Sequence, residues 1–508
     1  MTEKHAPDPD AEFVPNEPDD PDAPAERRQT AQFESGRMLR ESPDDQLAEP
    51  LLDQLATVMA AGGGGTSDVP AGYTYFGQFV AHDLSFERVA VNVRGREEGE
   101  VVQERSPLLD LDSLYGPGDN AVEFDGDKFV LGTTIATPTF AARPGLDLPR
   151  DANGRALIAD SRNDENLAVA QTHLAFMHLH NAIVDSRQLS AAEARNLLTK
   201  HYQWIVWHDY LPRVCDEAVI NEVMANGRKA FETARGAGRG TLKMPVEFSA
   251  AAFRFGHSML RVNYDWNEEM DDGAASLDVL FALSENGGER TKPIPTTAIA
   301  DFRRLYDFRS EQGDPFDGPG QPTPNLAMRI DTALNPVLRA VRREVITETG
   351  KRAPSDPRLR NLAFRDLRRA RQQKMGTAQQ MVAYLKTRKV KVDLLSAADL
   401  RGGNGGADLT RLLPDRVDEL VAKTPFWFYV LREAEVRGNG KLCGAGARVV
   451  VEVVHKAIEA NTDASIFLPD ENGKPWTPKL VADGKPFRMT DLLKSAFGHA
   501  HLLEPLRA

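Results

Sequence analysis

The chain has 508 residues, 41% of them hydrophobic, and a formal charge of −13, so it can bury a large core. Its lysines and arginines are scattered rather than gathered into a stripe, which argues against nucleic-acid binding through clustered phosphate contacts. Only Cys215 and Cys443 are present; no disulfide framework is written here, and the chain suits a reducing compartment.

Residues 1–35 are rich in Pro, Asp, Glu and Ala and poor in aromatics. Such a segment buries too little to offset its ordering entropy, so a disordered acidic arm is expected, followed by one domain over 36–508. The first residues have no apolar core of a signal peptide, and no run of eighteen apolar residues follows. The expectation is a protein with no membrane span, cytoplasmic or exported without a classical signal. Ala61–Ser67, with four consecutive glycines, reads as a loop; no Lys-Ser/Thr follows to make it a phosphate cradle.

From Tyr73 the apolar residues Tyr75, Phe76, Phe79, Val80 and Leu84 recur at helical steps. On that helix Gln78 and His82 are four apart and share a face, while Asp83 points about 100° away. A polar pair and a carboxylate in an apolar helix are costly unless each is used. Taken alone, a hydrogen-bonded core histidine explains His82 as well. Next comes an oxygen-rich stretch, Ser106 to Gly116, which reads SPLLDLDSLYG. Ser106, Asp110, Asp112 and a backbone carbonyl can surround Ca²⁺ if Asp83 joins them; an Asp-rich turn is the plain alternative. Arg162 and Glu165, in SRNDEN, are three apart at a helix start.

Residues 164–187, 191–211, 248–262, 360–386 and 444–460 read as further helices, and strand signals are few, so the fold class is mainly α. Of the eleven histidines, most need no functional explanation. His173 and His180, seven apart, read as core or surface residues rather than a metal cluster. His257 differs: it follows Gly256, which lets a flat ligand approach the backbone, and Arg254 lies one turn earlier. An axial imidazole with an arginine to pair a propionate suits a haem. Residues 264–325 are Asp/Gly/Pro-rich and look like an excursion of connecting loops. Gly402–Asp408 is another loop.

Taken in order, GQFVAHD, LDLDSLYG, SRNDEN and AFRFGH resemble the animal haem peroxidase (peroxidase–cyclooxygenase) superfamily, from about Tyr73 to at least Arg371. The segments WFYVLREAE and GARVVVEVV are similar to the family's later helices. The resemblance implies a mainly helical fold with haem b between a distal and a proximal helix. It implies a distal base at His82, with Gln78 beside it, a distal arginine at Arg162 and a proximal iron ligand at His257. Arg254 and Arg369 are implied as cofactor-binding. Asp366 stands where the family has the Asn that orients the proximal imidazole; a carboxylate there makes His257 more imidazolate-like. Asp83, Ser106, Asp110, Asp112 and the Leu108 carbonyl match the family's calcium site.

Two departures limit the resemblance. The family often has a carboxylate just before the distal histidine, esterified to a haem methyl, whereas this chain has Ala81. Glu165 matches the second ester position, so one ester link is open. Asn166 stands where one subgroup has a sulfonium-forming Met. The implied reaction is heterolytic cleavage of hydrogen peroxide with oxidation of a small reductant: a halide, thiocyanate or a phenol. A rival within the superfamily is a fatty-acid dioxygenase, but those enzymes carry a radical-forming Tyr where this chain has Arg254. A haem-binding or sensing protein without turnover would not need Gln78, His82 and Arg162 together. A calcium-dependent adhesion protein would rest on the acidic loops alone.

Overall fold

The computed structural model describes residues 33, 35–89, 101–116, 122–232, 242–284, 293–309, 321–340, 345–347, 350–352, 356–497 and 506. The proposed arm therefore lies almost wholly outside the described residues. Next to it, Phe33 bridges to Gln103, and Ser35 pairs with Met244.

Helices build the core, and the paired strands among the described residues form only two-stranded ladders. The helix Gly72–Leu84 buries eleven of its thirteen residues. It does so because its aromatics meet those of the next long helix, Leu167–Arg187, and of Ala191–Ile205. Phe79 stacks on Phe176 with ring centroids 4.7 Å apart, and Tyr202 meets both rings edge-on. Truncating Phe79 to Ala would cost about 3–5 kcal/mol. Close approach depends on Gly77, where an added Cβ would fall 2.2 Å from the Tyr210 hydroxyl.

Local chemistry sets where the helices begin. Asn166 caps Leu167–Arg187 by accepting from Val169 N, so that helix starts three residues later than its periodicity suggests. Ser190 with Glu193, and Thr377 with Gln380, form capping boxes. The stretch expected as one helix over 360–386 is two, Leu362–Gln372 and Ala378–Thr387. Lys374 between them adopts a left-handed backbone. The helix read over 191–211 passes into a π turn at Val206–Tyr210, where Asp209 accepts from the Tyr73 hydroxyl at 2.6 Å. Gly444–Ala460 has the expected bounds.

Two loop expectations are corrected, while Gly402–Asp408 is irregular as expected, apart from Gly402, which ends the helix Ala397–Gly402. Thr66 and Ser67 open a strand, Thr66–Pro70, that pairs antiparallel with Leu326–Met328. The excursion 264–325 contributes buried Trp266 and Phe302 and a helix, Leu277–Ala282, to the core. Gly403 and Gly406 lie against the buried Arg432–Glu435 ion pair. Both cysteines are free. His499 and His501 lie outside the described residues. No helix among the described residues is long and apolar enough to cross a membrane.

Candidate functional site

Two helical segments carry the site, and their surfaces are nearly sealed. On Gly72–Leu84 only Gln78 and Ala81 escape full burial, and His82 follows at 8% exposure. Helical spacing puts all three on one face. On the facing segment, Ala252–Met259, only Arg254, Gly256 and His257 escape. The two segments pack against each other. A Cβ added at Gly256 would meet nothing within 4 Å. Apart from Ala81, the open surface of both segments thus belongs to residues that the sequence nominates for the site.

The proximal segment departs from expectation in an informative way. Instead of one α-helix over 248–262 there is a short α turn, Val246–Ser249, then eight residues of 3-10 helix, Ala252–Met259. With three residues per turn, positions 254 and 257 lie one directly above the other. Both side chains consequently reach one carboxylate. Asp366 Oδ2 lies 2.6 Å from His257 Nδ1, and Arg254 Nη1 donates to Asp366 Oδ1 at 2.7 Å. Burial pushes the Asp366 carboxyl up, but His257 and Arg254 outweigh it and hold it at about 2. Since a carboxylate only accepts, His257 carries its proton on Nδ1 and keeps Nε2 for a ligand. Arg254 is spent on Asp366 and on the Ser249 carbonyl. Arg369 lies one turn beyond Asp366 on Leu362–Gln372, half-buried.

The distal side is assembled from Gly72–Leu84 and the turn Ser161–Asp164. His82 Nδ1 lies 2.8 Å from Asn163 Oδ1, and His82 Nε2 lies 3.7 Å from Glu165 Oε1. Burial first, then the charge of Arg162, depresses the His82 pKa to about 3. The ring is therefore neutral at physiological pH. Gln78 donates to Glu165 Oε1 and accepts from Asn166 Nδ2 at 3.0 Å. Ala81 and Asn166 offer no group for an ester or sulfonium link.

Arg162 is brought to His82 but not as an open cation. Its guanidinium donates to the carbonyls of His82 (2.9 Å) and Ser85 (2.8 Å), and to both oxygens of Asp160. It also lies 4.0 Å over the Phe86 ring. Four of its five N–H groups are thereby taken. Its geometry is that of a residue anchoring the end of the distal helix, with its charge acting on His82. Asp160 in turn accepts from Arg105 Nε at 3.1 Å, and Arg105 reaches Asp112 at 3.2 Å. Burial would raise the Asp160 carboxyl, yet Arg162 and Arg105 hold it well below the ordinary range.

The oxygen-rich loop lies beside this network. Asp83, Ser106, Asp110 and Asp112 are all buried, as is Leu108. Asp83 accepts from the backbone N–H of Leu111 (3.1 Å) and Ser113 (3.0 Å), and Ser106 donates to Asp110 at 2.9 Å. Burial and the neighbouring Asp110 push the Asp83 pKa far up, with Asp112 adding to the rise. Hard donors are gathered, but among the described residues no three acidic, His or Cys side chains converge as a cage.

Sequence reasoning missed Asn163, Asp160 and Arg105, and treated His173 as a plain core residue. Asn163 Nδ2 donates to His173 Nδ1 at 3.0 Å. The core reading does hold for His180, between the Tyr115 hydroxyl and the Asp127 carbonyl. The polar run SRNDEN was the available signal for Asn163; the fold alone reveals its partners.

Residues 100–281 match the family described as animal haem peroxidase. The structure is similar to peroxidase A from Dictyostelium discoideum, with a TM-score of 0.50 and 13% identity over 85% of this chain and 87% of that one. It is similar to fatty acid alpha-dioxygenase of Oryza sativa (0.53, 12%, covering 92% and 81%). The alpha-dioxygenase of Arabidopsis thaliana gives 0.53 and 13%, covering 89% and 75%. No curated protein matches the chain.

Proposed function

We propose that the chain is a member of the animal haem peroxidase (peroxidase–cyclooxygenase) superfamily, a reading supported by its family match over residues 100–281 and by its fold, and that it is a haem-dependent peroxidase that reduces hydrogen peroxide and oxidises a small donor. The observation that carries this reading is the pair of nearly sealed segments whose remaining open surface is Gln78 and Ala81, beside the buried His82, on one and Arg254, Gly256 and His257 on the other. His257 Nε2 would hold the haem iron, with Asp366 fixing the ring from behind. The bound haem supplies the electrons that break the O–O bond.

The chain's own residues manage the proton. His82 Nε2 takes the proton from the near oxygen of hydrogen peroxide and returns it to the outer oxygen, which leaves as water. That task needs a neutral ring, and burial together with the charge of Arg162 supplies one. Arg162 acts through His82, by ending its helix and lowering its proton affinity. Gln78 and Glu165 form the polar wall beside Nε2. Glu165 stands at the second ester position of the family, so one ester to the haem would run through it, and acid–acetone extraction tests that link. Asp83, Ser106, Asp110, Asp112 and the Leu108 carbonyl would hold Ca²⁺, which would relieve the crowding of buried carboxylates; metal analysis before and after chelation tests this.

A fatty-acid dioxygenase finds less support. Arg254 occupies the position of the tyrosine named for those enzymes, and it is paired with Asp366. His82→Ala should slow reaction with peroxide by about 10²–10⁴-fold while the Soret band persists. A near-normal rate removes His82 from this role, and oxygen uptake with palmitic acid instead of peroxide consumption would overturn the reading.

A further inference from the structure

Asn163 is fully buried and makes two contacts of opposite sense. Its Oδ1 faces His82 Nδ1 at 2.8 Å, and its Nδ2 faces His173 Nδ1 at 3.0 Å. An amide offers an acceptor on one side and donors on the other, and a neutral imidazole has one N–H and one bare nitrogen. The three side chains are therefore satisfied together in only two ways. With Oδ1 toward His82, that ring carries Nδ1–H and a bare Nε2, and His173 carries Nε2–H. With the amide turned by 180°, both rings swap, and His82 Nε2 becomes a donor unable to take a proton. Mixed states set donor against donor or lone pair against lone pair.

The surroundings favour the first state. A protonated Nε2 on His82 would be drawn to hydrogen-bonding distance of the Glu165 carboxylate, yet the separation is 3.7 Å and that oxygen accepts from Gln78. The backbone under Asn163 is also held. Asp160 caps the turn by accepting from Arg162 N. Arg150 grips Asp164 with two hydrogen bonds, of 2.6 and 3.0 Å. His173 sits on the helix Leu167–Arg187 at 1% exposure, and its Nε2 is buried with no hydrogen-bond partner among the described residues. Its described polar contact is therefore the one through which it fixes the amide.

We propose that Asn163 is a positioning residue that holds His82 in its Nδ1–H tautomer, and that His173 sets the orientation of Asn163, so that the tautomers of the two histidines are coupled. The tautomers stand on geometry alone; their consequence for peroxide rests on the function proposed above. A carboxylate at position 163 makes the coupling visible. It accepts on both sides, so Asn163→Asp should leave His82 as Nδ1–H while inverting His173 to Nδ1–H. A merely space-filling role predicts no such inversion.

The test is long-range ¹H–¹⁵N spectroscopy of the full chain with ¹⁵N-labelled histidine, porphyrin-free and loaded with diamagnetic zinc protoporphyrin. Signals are assigned with His82→Gln and His173→Gln. The expected result is a protonated Nδ1 at His82 and a protonated Nε2 at His173, with His173 alone inverting in Asn163→Asp. In Asn163→Ala, His82 should show averaged shifts. In haem-loaded protein, Asn163→Ala should slow the peroxide reaction about 10–100-fold at unchanged haem content, and Asn163→Asp should stay within a few-fold of the parent. A protonated Nε2 at His82 in the parent protein, or an unaltered His173 in Asn163→Asp, would overturn the proposal. The expected tautomers in a protein inert to peroxide would uphold the coupling and refute the function instead.

Discussion

The acid limb of the peroxide reaction offers a quantitative check on His82. An imidazole with its ordinary pKa of about 6.5 is neutral in only about 3% of molecules at pH 5, so a base of that kind would lose roughly 30-fold in rate between pH 8 and pH 5. With the pKa depressed to about 3, all but about 1% of molecules keep the base at pH 5, and the rate should be flat across that interval. The groups facing the ring act in opposite directions. Burial, Arg162 and Arg105 lower its proton affinity, whereas Asp160 and the hydrogen bond to Asn163 raise it. Stopped-flow measurement of the haem absorbance change on mixing with peroxide, from pH 8 to pH 4.5, reads the profile. Arg162→Gln should move its acid limb upward, because the second-largest cause of the depression is then gone. A parent rate falling tenfold per unit below pH 6.5 would refute the reasoning.

Three further outcomes follow from the packing. Asp366→Asn removes the charge behind His257 and should weaken haem retention or peroxide reactivity by about 10–100-fold, read from haem-transfer kinetics and stopped flow. Arg105→Met leaves Asp112 and Asp160 buried without their shared cation; the cost should be about 3–5 kcal/mol in denaturant unfolding. Gly403→Ala forces a side chain onto a backbone at φ +62°, with its Cβ 1.4 Å from Arg432 Nη1. It should destabilise by at least about 1–3 kcal/mol, read by thermal unfolding, because the buried Arg432–Glu435 pair must move.

Those residues also show what a sequence can and cannot reveal. Gln78 and His82 were legible because helical spacing alone puts two polar groups on one face of an apolar helix. Arg254 and His257 were legible as neighbours, although the 3-10 winding that stacks them was not. The small residues and Gly256 read equally as α-helix, and packing decided the difference. Asp366 came from motif resemblance, over a separation of more than a hundred residues. Asn163, by contrast, is one polar residue in a polar turn, and its significance lies in two histidines, 81 and 10 residues away, that only tertiary structure brings to it. Arg105 and Gly403 were hidden for the same reason: the ion pairs they join or enclose are contacts of the folded chain.

The proposed peroxidase chemistry requires His257 to hold the iron of a haem on the side away from His82. The visible spectrum of the purified 508-residue chain, supplied with haem, beside His257→Gly with and without added imidazole, tests this requirement. The parent should show a Soret band of a histidine-ligated haem; the variant should lose it or its axial nitrogen signature and regain it with imidazole. A parent that binds no haem, or a variant with an unchanged spectrum, would contradict the account.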